Sequence, residues 1–248
     1  MYRLLTSVYY VTHSLLHRLG YPDLAEATEH KLARAAARTG DPLAGALAQW
    51  ARVQGFQTAG DYEHGLRLVE AATAELDGEL RGRRPAVAAL VVQGSLHLRA
   101  VTLASRAHDT DTTDRHLRAA RELAARLPGD RVHHGLTFGP ANSTSHEVAA
   151  HVELGDGPAA LTAAESWTPV RTMPRTRRGH HYIDLARAHL LVGDRAASLT
   201  ALGTARSIAP QQTRLHPMVR STAAVLVSRH HRSNTELTEM AGWLGLTG

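Results

Sequence analysis

One short phrase recurs along this chain and limits what it can fold into. A helix-favouring segment ends in a small turn, and an alanine-rich helical segment follows. The turns read RLGYPDLA at 18–25, TAGDYEHG at 58–65, RAHDTDTT at 106–113, ELGDGPAA at 153–160 and LVGDRAAS at 191–198. Glycine, or His108 in the third copy, supplies the left-handed end of the first helix, and the aspartate that follows can cap the second. The repeat predicts a series of helical hairpins.

The apolar residues around these turns recur with the period of a helix. Around the fifth turn they are Leu185, Ala188, Leu191, Leu199, Leu202 and Ala205. No segment alternates with period two over more than a few residues, so no strand is expected. One hairpin cannot bury its apolar face alone, and stacking is required. We therefore predict an all-α, right-handed solenoid of five to six antiparallel hairpins in a single domain over 1–248. Residues 232–248 would form its C-terminal capping helix, with Met240, Trp243 and Leu244 turned inward.

The amino-acid composition excludes several classes of function. The 248 residues include no cysteine, which excludes a disulfide framework and a thiol nucleophile. The net charge of +5 comes from arginines that mostly stand singly, and the clusters at 81–84 and 175–178 are expected in loops between helices. Direct nucleic-acid binding is therefore not expected. The N-terminus lacks a cleavage pattern, and the apolar run Ala86–Val92 is far shorter than the roughly 20 residues of a membrane span. The sequence predicts a soluble, cytoplasmic protein.

The fifth copy, GHHYIDLARAHLLVGDRAASLTALGTARSIAP at 179–210, resembles a tetratricopeptide repeat. Tyr182 takes the large first position, Gly193 and Asp194 make the turn, Ala205 takes the small position of the second helix, and Pro210 ends the repeat. The other copies keep the turn and the small residues but lack these landmarks.

A second resemblance covers most of the chain. The segments LTFGPANSTSHEVAAHVELGD, RTRRGHHYIDLARAHLLVGD and IAPQQTRLHPMVRSTAAVLV are similar to the sensor region of actinobacterial helix-turn-helix regulators of the XRE type. In that family a tetratricopeptide-like sensor follows a small DNA-binding head, whereas here the resemblance starts inside the first sensor helix, and we expect no such head on this chain. The resemblance implies a ligand-sensing, peptide-sensing or protein-interaction role in transcriptional regulation.

The resemblance also implies a groove lined by the first helix of each hairpin. Carried over position by position, the groove residues are Trp50, Gln54, Gln57, Arg99, Thr102, Asn142, Ser145, His146, Ala149, His180, Ile183, Asp184 and Arg187. The nine expected to bind are Trp50, Gln54, Gln57, Arg99, Asn142, His146, His180, Asp184 and Arg187. Their amides, indole and charged groups suit a peptide or a polar small-molecule effector. Structural roles stay open for some of them: Asn142 can cap its helix, Asp184 can pair with Arg187, and Trp50 can belong to the core.

Two alternatives remain. A stand-alone adaptor would hold a peptide or partner protein with the same groove, and a second copy of the chain is also kept open as a partner. A metal-dependent enzyme would use the 17 histidines. The segment HEVAAH at 146–151 is one residue from the zinc motif H-E-x-x-H, but histidines five apart lie about 140° apart on a helix. His13 and His17, four apart, share a helix face. We predict no catalytic residue, no bound metal and no cofactor.

Overall fold

The computed structural model describes residues 1–80, 86–165, 167–171, 173–229 and 235–246. Within these ranges lie thirteen α-helices and one two-stranded sheet. The helices are α1 (Tyr2–Leu19), α2 (Pro22–Ala37), α3 (Pro42–Ala59), α4 (Tyr62–Leu76), α5 (Val87–Arg106), α6 (Thr110–Ala124), α7 (Pro140–Glu153), α8 (Gly157–Glu165), α9 (Arg175–Leu191), α10 (Arg195–Ile208), α11 (Pro210–Leu215), α12 (Pro217–Arg229) and α13 (Thr235–Leu244). A 3-10 turn, Asp77–Leu80, follows α4. The predicted all-α class is confirmed.

Packing divides the chain into two compact units, Met1–His146 and Glu147–Gly248, called unit 1 and unit 2 here. In unit 1 the helices form three pairs, α1 with α2, α3 with α4, and α5 with α6. The first helices of successive pairs also touch, α1 against α3 and α3 against α5. The first helices therefore lie side by side within this unit.

Helix α5 lies at the centre of unit 1. It packs against α3, α4 and α6, and its buried side chains include Leu90, Val92, Leu96 and Leu103. By length and composition alone α5 could cross a membrane, but 78% of its most apolar window is buried inside the protein. The sequence prediction had overlooked this helix as a candidate because Gln93 interrupts its continuous apolar run. The apolar side chains of α5 form the core of unit 1.

The predicted turns form at four of the five positions with the expected caps. The residue ending the first helix has a left-handed φ of 77° at Gly60, 57° at His108, 80° at Gly155 and 83° at Gly193. The aspartate after each one accepts a hydrogen bond from the backbone N–H three residues later. An aspartate in this place satisfies one of the N–H groups that a helix start leaves unpaired.

The first turn differs from the prediction. Gly20 is left-handed as expected, but Pro22 begins α2, and Tyr21 stands at the capping position without a side-chain hydrogen bond. Asp23 therefore lies in the first turn of α2 and does not cap it. Proline favours this first helical position because its fixed φ suits the helix and its missing N–H would be unpaired there.

A further turn of the same kind was missed between α2 and α3. Gly40 has a φ of 66°, and the Asp41 carboxylate accepts a hydrogen bond of 2.9 Å from the Leu43 N–H. Its Gly-Asp pair matches the recurring phrase, but here it joins the second helix of one pair to the first helix of the next. The turn chemistry alone does not distinguish these two kinds of connection.

The expectation of no strand was wrong for one short hairpin in unit 1. Strands β1 (Arg131–His133) and β2 (Leu136–Phe138) pair antiparallel, with Arg131 opposite Phe138. The two residues between them, His134 and Gly135, both have positive φ, as a two-residue hairpin turn requires. Each strand is only three residues long, too short for its alternation to stand out in the sequence.

A glycine lets this hairpin lie on α5. Phe138 is fully buried, and a Cβ placed on Gly94 would lie 2.1 Å from the Phe138 ring. No side chain at position 94 leaves room for the ring where it lies. Gly94 is therefore a packing requirement of unit 1.

Unit 2 is built around α9 and α10, which pack as a pair. Helices α8, α11 and α12 also contact α9, and α12 packs with α13. The core includes Ile183, Leu202, Leu226, Met240 and Leu244, with Trp243 partly buried against it. The inward placing predicted for Met240, Trp243 and Leu244 is confirmed, whereas residues 232–234 and 247–248 of the predicted capping segment lie outside the described residues.

The two arginine clusters were expected in loops. The second forms the first turn of α9 instead, since Pro174 precedes the helix and Arg175 is its first residue. The Arg175 Nε donates a hydrogen bond of 2.8 Å to the carbonyl of Ile208. The first cluster, 81–84, lies outside the described residues.

Candidate functional site

Three of the predicted groove residues meet on the first helices of unit 1. Trp50 and Gln57 lie on α3, and Arg99 lies on α5. The Arg99 guanidinium carbon stands 3.9 Å from the centre of the Trp50 ring, and its Nη1 donates to Gln57 Oε1 at 2.5 Å. The Trp50 Nε1 donates to the carbonyl of Ser95 at 3.3 Å. The cation thus lies over an aromatic ring and is also held by an amide, an arrangement that restricts its direction.

Two histidines of α1 lie next to this arginine. His13 and His17 have their ring centres 5.8 Å apart. Burial first, and then the charges of His17 and Arg99, lower the pKa of His13 to about 4. Burial also lowers the pKa of His17, with Arg99 again acting in the same direction, while hydrogen bonds to backbone groups oppose the shift. Both imidazoles are therefore disposed to be neutral beside a fixed positive charge.

His13 is buried, and its Nδ1 has no hydrogen-bond partner among the residues that the structure describes. A buried polar atom without a partner costs free energy unless something else satisfies it. We call His13, His17, Trp50, Gln54, Gln57 and Arg99 the polar face. Gln54 is half-buried on α3, one turn after Trp50. The sequence had paired His13 with His17 but had not placed them in the groove, because only contacts between α1, α3 and α5 bring them there.

The β-hairpin approaches one edge of the polar face. The Tyr10 and Trp50 rings meet edge to face at 5.9 Å. A Cβ placed on Gly135 of the hairpin turn would lie 2.7 Å from the Tyr10 ring. In addition, His134 Nε2 lies 4.0 Å from a carboxylate oxygen of Asp41 at the start of α3. The turn of the hairpin therefore reaches both α1 and α3 and helps to hold Tyr10 against Trp50.

Asn142 and His146, also predicted to bind ligand, have structural contacts at the start of α7. Asn142 is buried, and its Nδ2 donates a hydrogen bond of 2.7 Å to the Thr137 carbonyl in the β-hairpin. The cap of α7 comes from Asp130, whose carboxylate accepts from the backbone N–H groups of Ala141 and Asn142. His146 Nδ1 lies 2.9 Å from the carbonyl of Asn142. The contacts of Asn142 and His146 with each other and with the hairpin order the start of α7.

The other predicted residues form an ion-pair network in unit 2. His180 Nε2 lies 3.7 Å from Asp184 Oδ2, and Arg187 Nη1 lies 3.6 Å from Asp184 Oδ1. Arg187 also reaches Glu153 Oε1 of α7 at 3.0 Å. The Asp184 side chain is only 4% exposed, so its charge requires these cations. The predicted pairing of Asp184 with Arg187 is found.

The remaining groove positions differ in burial. Thr102 is half-buried, and its hydroxyl donates to the carbonyl of Leu98 within α5. Ala149 is half-buried, Ser145 is buried, and Ile183 is fully buried in the core of unit 2. Ile183 is therefore a core residue and not a groove residue, because its side of α9 faces the apolar interior of this unit.

A second histidine pair was missed by sequence reasoning. His97 on α5 and His116 on α6 place their Nδ1 atoms 2.9 Å apart. A hydrogen bond between them needs one nitrogen to donate and the other to accept, so the two rings cannot both be charged. Burial first, and neighbouring positive charge second, lower the pKa of each to about 4. His97 and His116 are nineteen positions apart in the sequence, and no short sequence motif predicts their contact.

In the described part of the chain, no group of three or more histidine or acidic side chains is placed to hold a metal ion. Within HEVAAH, His146 bonds the Asn142 carbonyl and His151 is half-buried. The feature of the molecule that best suits a ligand is the polar face of unit 1.

The comparison with known proteins gives information on the fold alone. No family model matches the chain, and no curated protein matches it. Among solved structures, the chain is similar to the one titled "Crystal structure of BtubC (BKLC) from P. vanneervenii". The TM-score is 0.50 at 14% sequence identity, and the match covers 84% of this chain and 81% of that one. At this identity the likeness concerns the fold alone.

Proposed function

We propose that this chain is the effector-sensing region of a bacterial transcriptional regulator and that its effector binds on the polar face of unit 1. The observation that carries the proposal is the Arg99 guanidinium, stacked on Trp50 and held by Gln57. A guanidinium oriented in this way before a ligand arrives loses little freedom when it binds one. The unpartnered Nδ1 of His13 supplies a second polar group at the same place.

The arrangement of the helices that we propose is a right-handed solenoid of five to six tetratricopeptide-like hairpins. Its support is the pairing within unit 1, where α1, α3 and α5 touch one another in order. In such a stack the first helices line one side, and the polar face lies on them. The similarity of the fifth sequence copy to a tetratricopeptide repeat supports the same arrangement for α9 and α10.

The chemistry of the polar face favours a peptide or a polar small molecule that carries a carboxylate. The Arg99 guanidinium supplies a positive charge that attracts a carboxylate, and the neutral histidines supply further donors or acceptors. The Arg99 charge lowers the pKa of both His13 and His17, so an anion bound beside them would meet the positive charge of Arg99. An indole beside the cation suits an apolar or aromatic part of the same ligand.

The proposed mechanism is a shift between two conformations of the helical stack. A ligand that contacts α1, α3 and α5 together favours whichever spacing of these helices gives it the better contacts. It can move the equilibrium only by the difference between its affinities for the two states. An attached DNA-binding head, or a partner protein, would sense the change in spacing.

The test of the site uses a panel of short peptides with a free carboxyl terminus and the same peptides amidated. Calorimetric titration should show at least about tenfold weaker binding for the amidated forms, because each lost charge-assisted hydrogen bond costs about 1.5–3 kcal/mol. Arg99→Leu should lose the difference between the two forms. Arg67→Leu is the matched control, since Arg67 is an exposed arginine of α4 paired with Glu63. Equal binding by wild type and Arg99→Leu would refute the site.

The regulator and the stand-alone adaptor are separated by a different observation. The regulator needs a helix-turn-helix segment in frame with this chain or in a partner that the chain contacts. Copurification with such a protein, or its coding sequence directly upstream, supports the regulator. A biosynthetic enzyme or precursor peptide as the copurified partner would support the adaptor and overturn the regulator.

A further inference from the structure

Helix α1 exposes a continuous row of apolar side chains. Exposed fractions are 87% for Met1, 70% for Leu4, 49% for Val8, 62% for Val11, 54% for Leu15 and 61% for Leu19. We call these six residues the α1 stripe. Single exposed apolar residues are ordinary, but a contiguous row marks a surface that binds something.

The stripe has the spacing of a helix that packs against another helix. From Met1 to Leu15 the steps are three, four, three and four residues, the a and d positions of a heptad repeat. Such positions form one seam along the helix. The buried residues Thr6, Tyr10 and His13 belong to the part of α1 that packs inside unit 1. Helix α1 therefore has one side that packs in the fold and a second, apolar side that is exposed.

Helix α6 of the same unit has a solvent-exposed surface of the ordinary, charged kind. The exposed residues of α6 include Asp111, Asp114, Arg115, Arg118 and Glu122, all of which are charged. Nothing in the composition of the chain prevents a charged outer face, because α6 has one. The apolar surface of α1 is a local property of that helix.

We propose that the α1 stripe is a dimer interface, in which α1 packs against α1 of a second copy of this chain. Tyr21 and Leu24, which follow shortly after α1 in the chain, are also exposed apolar residues, at 54% each. The eight side chains together expose on the order of 800 Å² per copy, the area that each partner buries in a standard interface. A two-fold dimer places the same patch on both sides, so one stripe supplies both surfaces.

The residues flanking the seam favour a second copy over a charged partner. Heptad positions e and g are Leu5, Ser7, Thr12 and Ser14, none of which is charged. In helix pairs these positions select the partner through opposite charges and reject it through like charges. Between Met1 and Leu15 the seam and these flanks are uncharged, so over this length the helix meets its own copy without repulsion, and Arg18 at the next d position ends the heptad pattern. This interface does not depend on the proposed ligand site, because His13 and the other residues of the polar face lie outside the stripe.

The test is the molar mass of the full 248-residue chain in solution across a concentration series. Sedimentation equilibrium should give a dimer, twice 26.8 kDa, and Val8→Glu/Val11→Glu should give 26.8 kDa. Two glutamates in each copy put four like charges in a buried seam, so the dissociation constant should rise at least about a hundredfold. Far-ultraviolet circular dichroism of the variant should match that of wild type, since both positions are exposed in the single chain.

Val227→Glu is the matched control, because Val227 of α12 is also an exposed helical valine. It should leave the dimer intact. A monomeric wild-type chain at high concentration would overturn the proposal, as would a dimer that survives Val8→Glu/Val11→Glu. A wild-type monomer that instead cosediments with phosphatidylglycerol vesicles would overturn it as well, by assigning the stripe to a lipid surface.

Discussion

The contact between Gly94 and Phe138 makes the sharpest prediction about the stability of unit 1. A Cβ at position 94 would lie 2.1 to 2.3 Å from three carbons of the Phe138 ring, whereas carbon atoms in contact sit about 3.5–4.0 Å apart. Gly94→Ala therefore forces the ring and the β-hairpin off α5, and overpacking of this kind costs about 1–3 kcal/mol. Alanine returns about 1 kcal/mol through its better helix propensity. We expect a net loss of up to about 2 kcal/mol in the free energy of unfolding.

The effect of Gly94→Ala on the free energy of unfolding should change sign when the Phe138 ring is absent. Phe138→Ala alone should cost about 3–5 kcal/mol, because Phe138 is fully buried. In that background Gly94→Ala meets no ring and keeps only its helix advantage, so it should stabilise the protein by about 1 kcal/mol. Urea unfolding followed by circular dichroism, with hydrogen exchange of peptides from α5, gives all four free energies. An equal effect of Gly94→Ala in both backgrounds would refute the packing argument.

Two further predictions concern titration and capping. The pKa values of His13, His97, His116 and His181 are lowered to about 4, from an ordinary value of 6.5, mainly by burial. Between these values the unfolded chain binds more protons, so stability should be complete above about pH 6.5 and fall toward pH 4, by up to about 1.4 kcal/mol per pH unit for each histidine. Urea midpoints across that range check this, and a flat profile would contradict it. Asp130→Ala should cost about 1–2 kcal/mol, because it removes the carboxylate that accepts from the Ala141 and Asn142 N–H groups at the start of α7. Asp156→Ala, which removes the exposed cap of α8, is the comparison, and an equal loss from the two would argue against a special role for Asp130.

The helical class could be read from the sequence because its signals are local. A left-handed residue followed by a capping aspartate occupies two positions, and both features appear at four predicted turns. The prediction that Asp23 caps α2 was wrong because the helix begins one residue earlier, at Pro22. The β-hairpin was missed because its stability depends on Phe138 packing against Gly94, a contact across more than forty residues.

The contacts of the candidate site could be predicted only in part. Trp50, Gln57 and Arg99 were placed on one face because counting from each turn gives the face of a first helix, and the structure brings these three side chains together. The position of His13 beside them could not be predicted this way, since its burial and its low pKa depend on neighbours from other helices. For Asn142 the structure adds a contact that the sequence did not predict, because its amide donates to the Thr137 carbonyl of the β-hairpin.

The central claim, that the polar face binds a ligand, is tested most directly through the three tryptophans. In a nuclear magnetic resonance titration the indole N–H signals of Trp50, Trp167 and Trp243 report separate places, and only Trp50 touches Arg99. On addition of a peptide or small carboxylate that binds, we predict that the Trp50 signal shifts while the other two stay, and that Arg99→Leu abolishes the shift. A ligand that binds and moves the Trp167 or Trp243 signal while Trp50 remains unchanged would contradict the account.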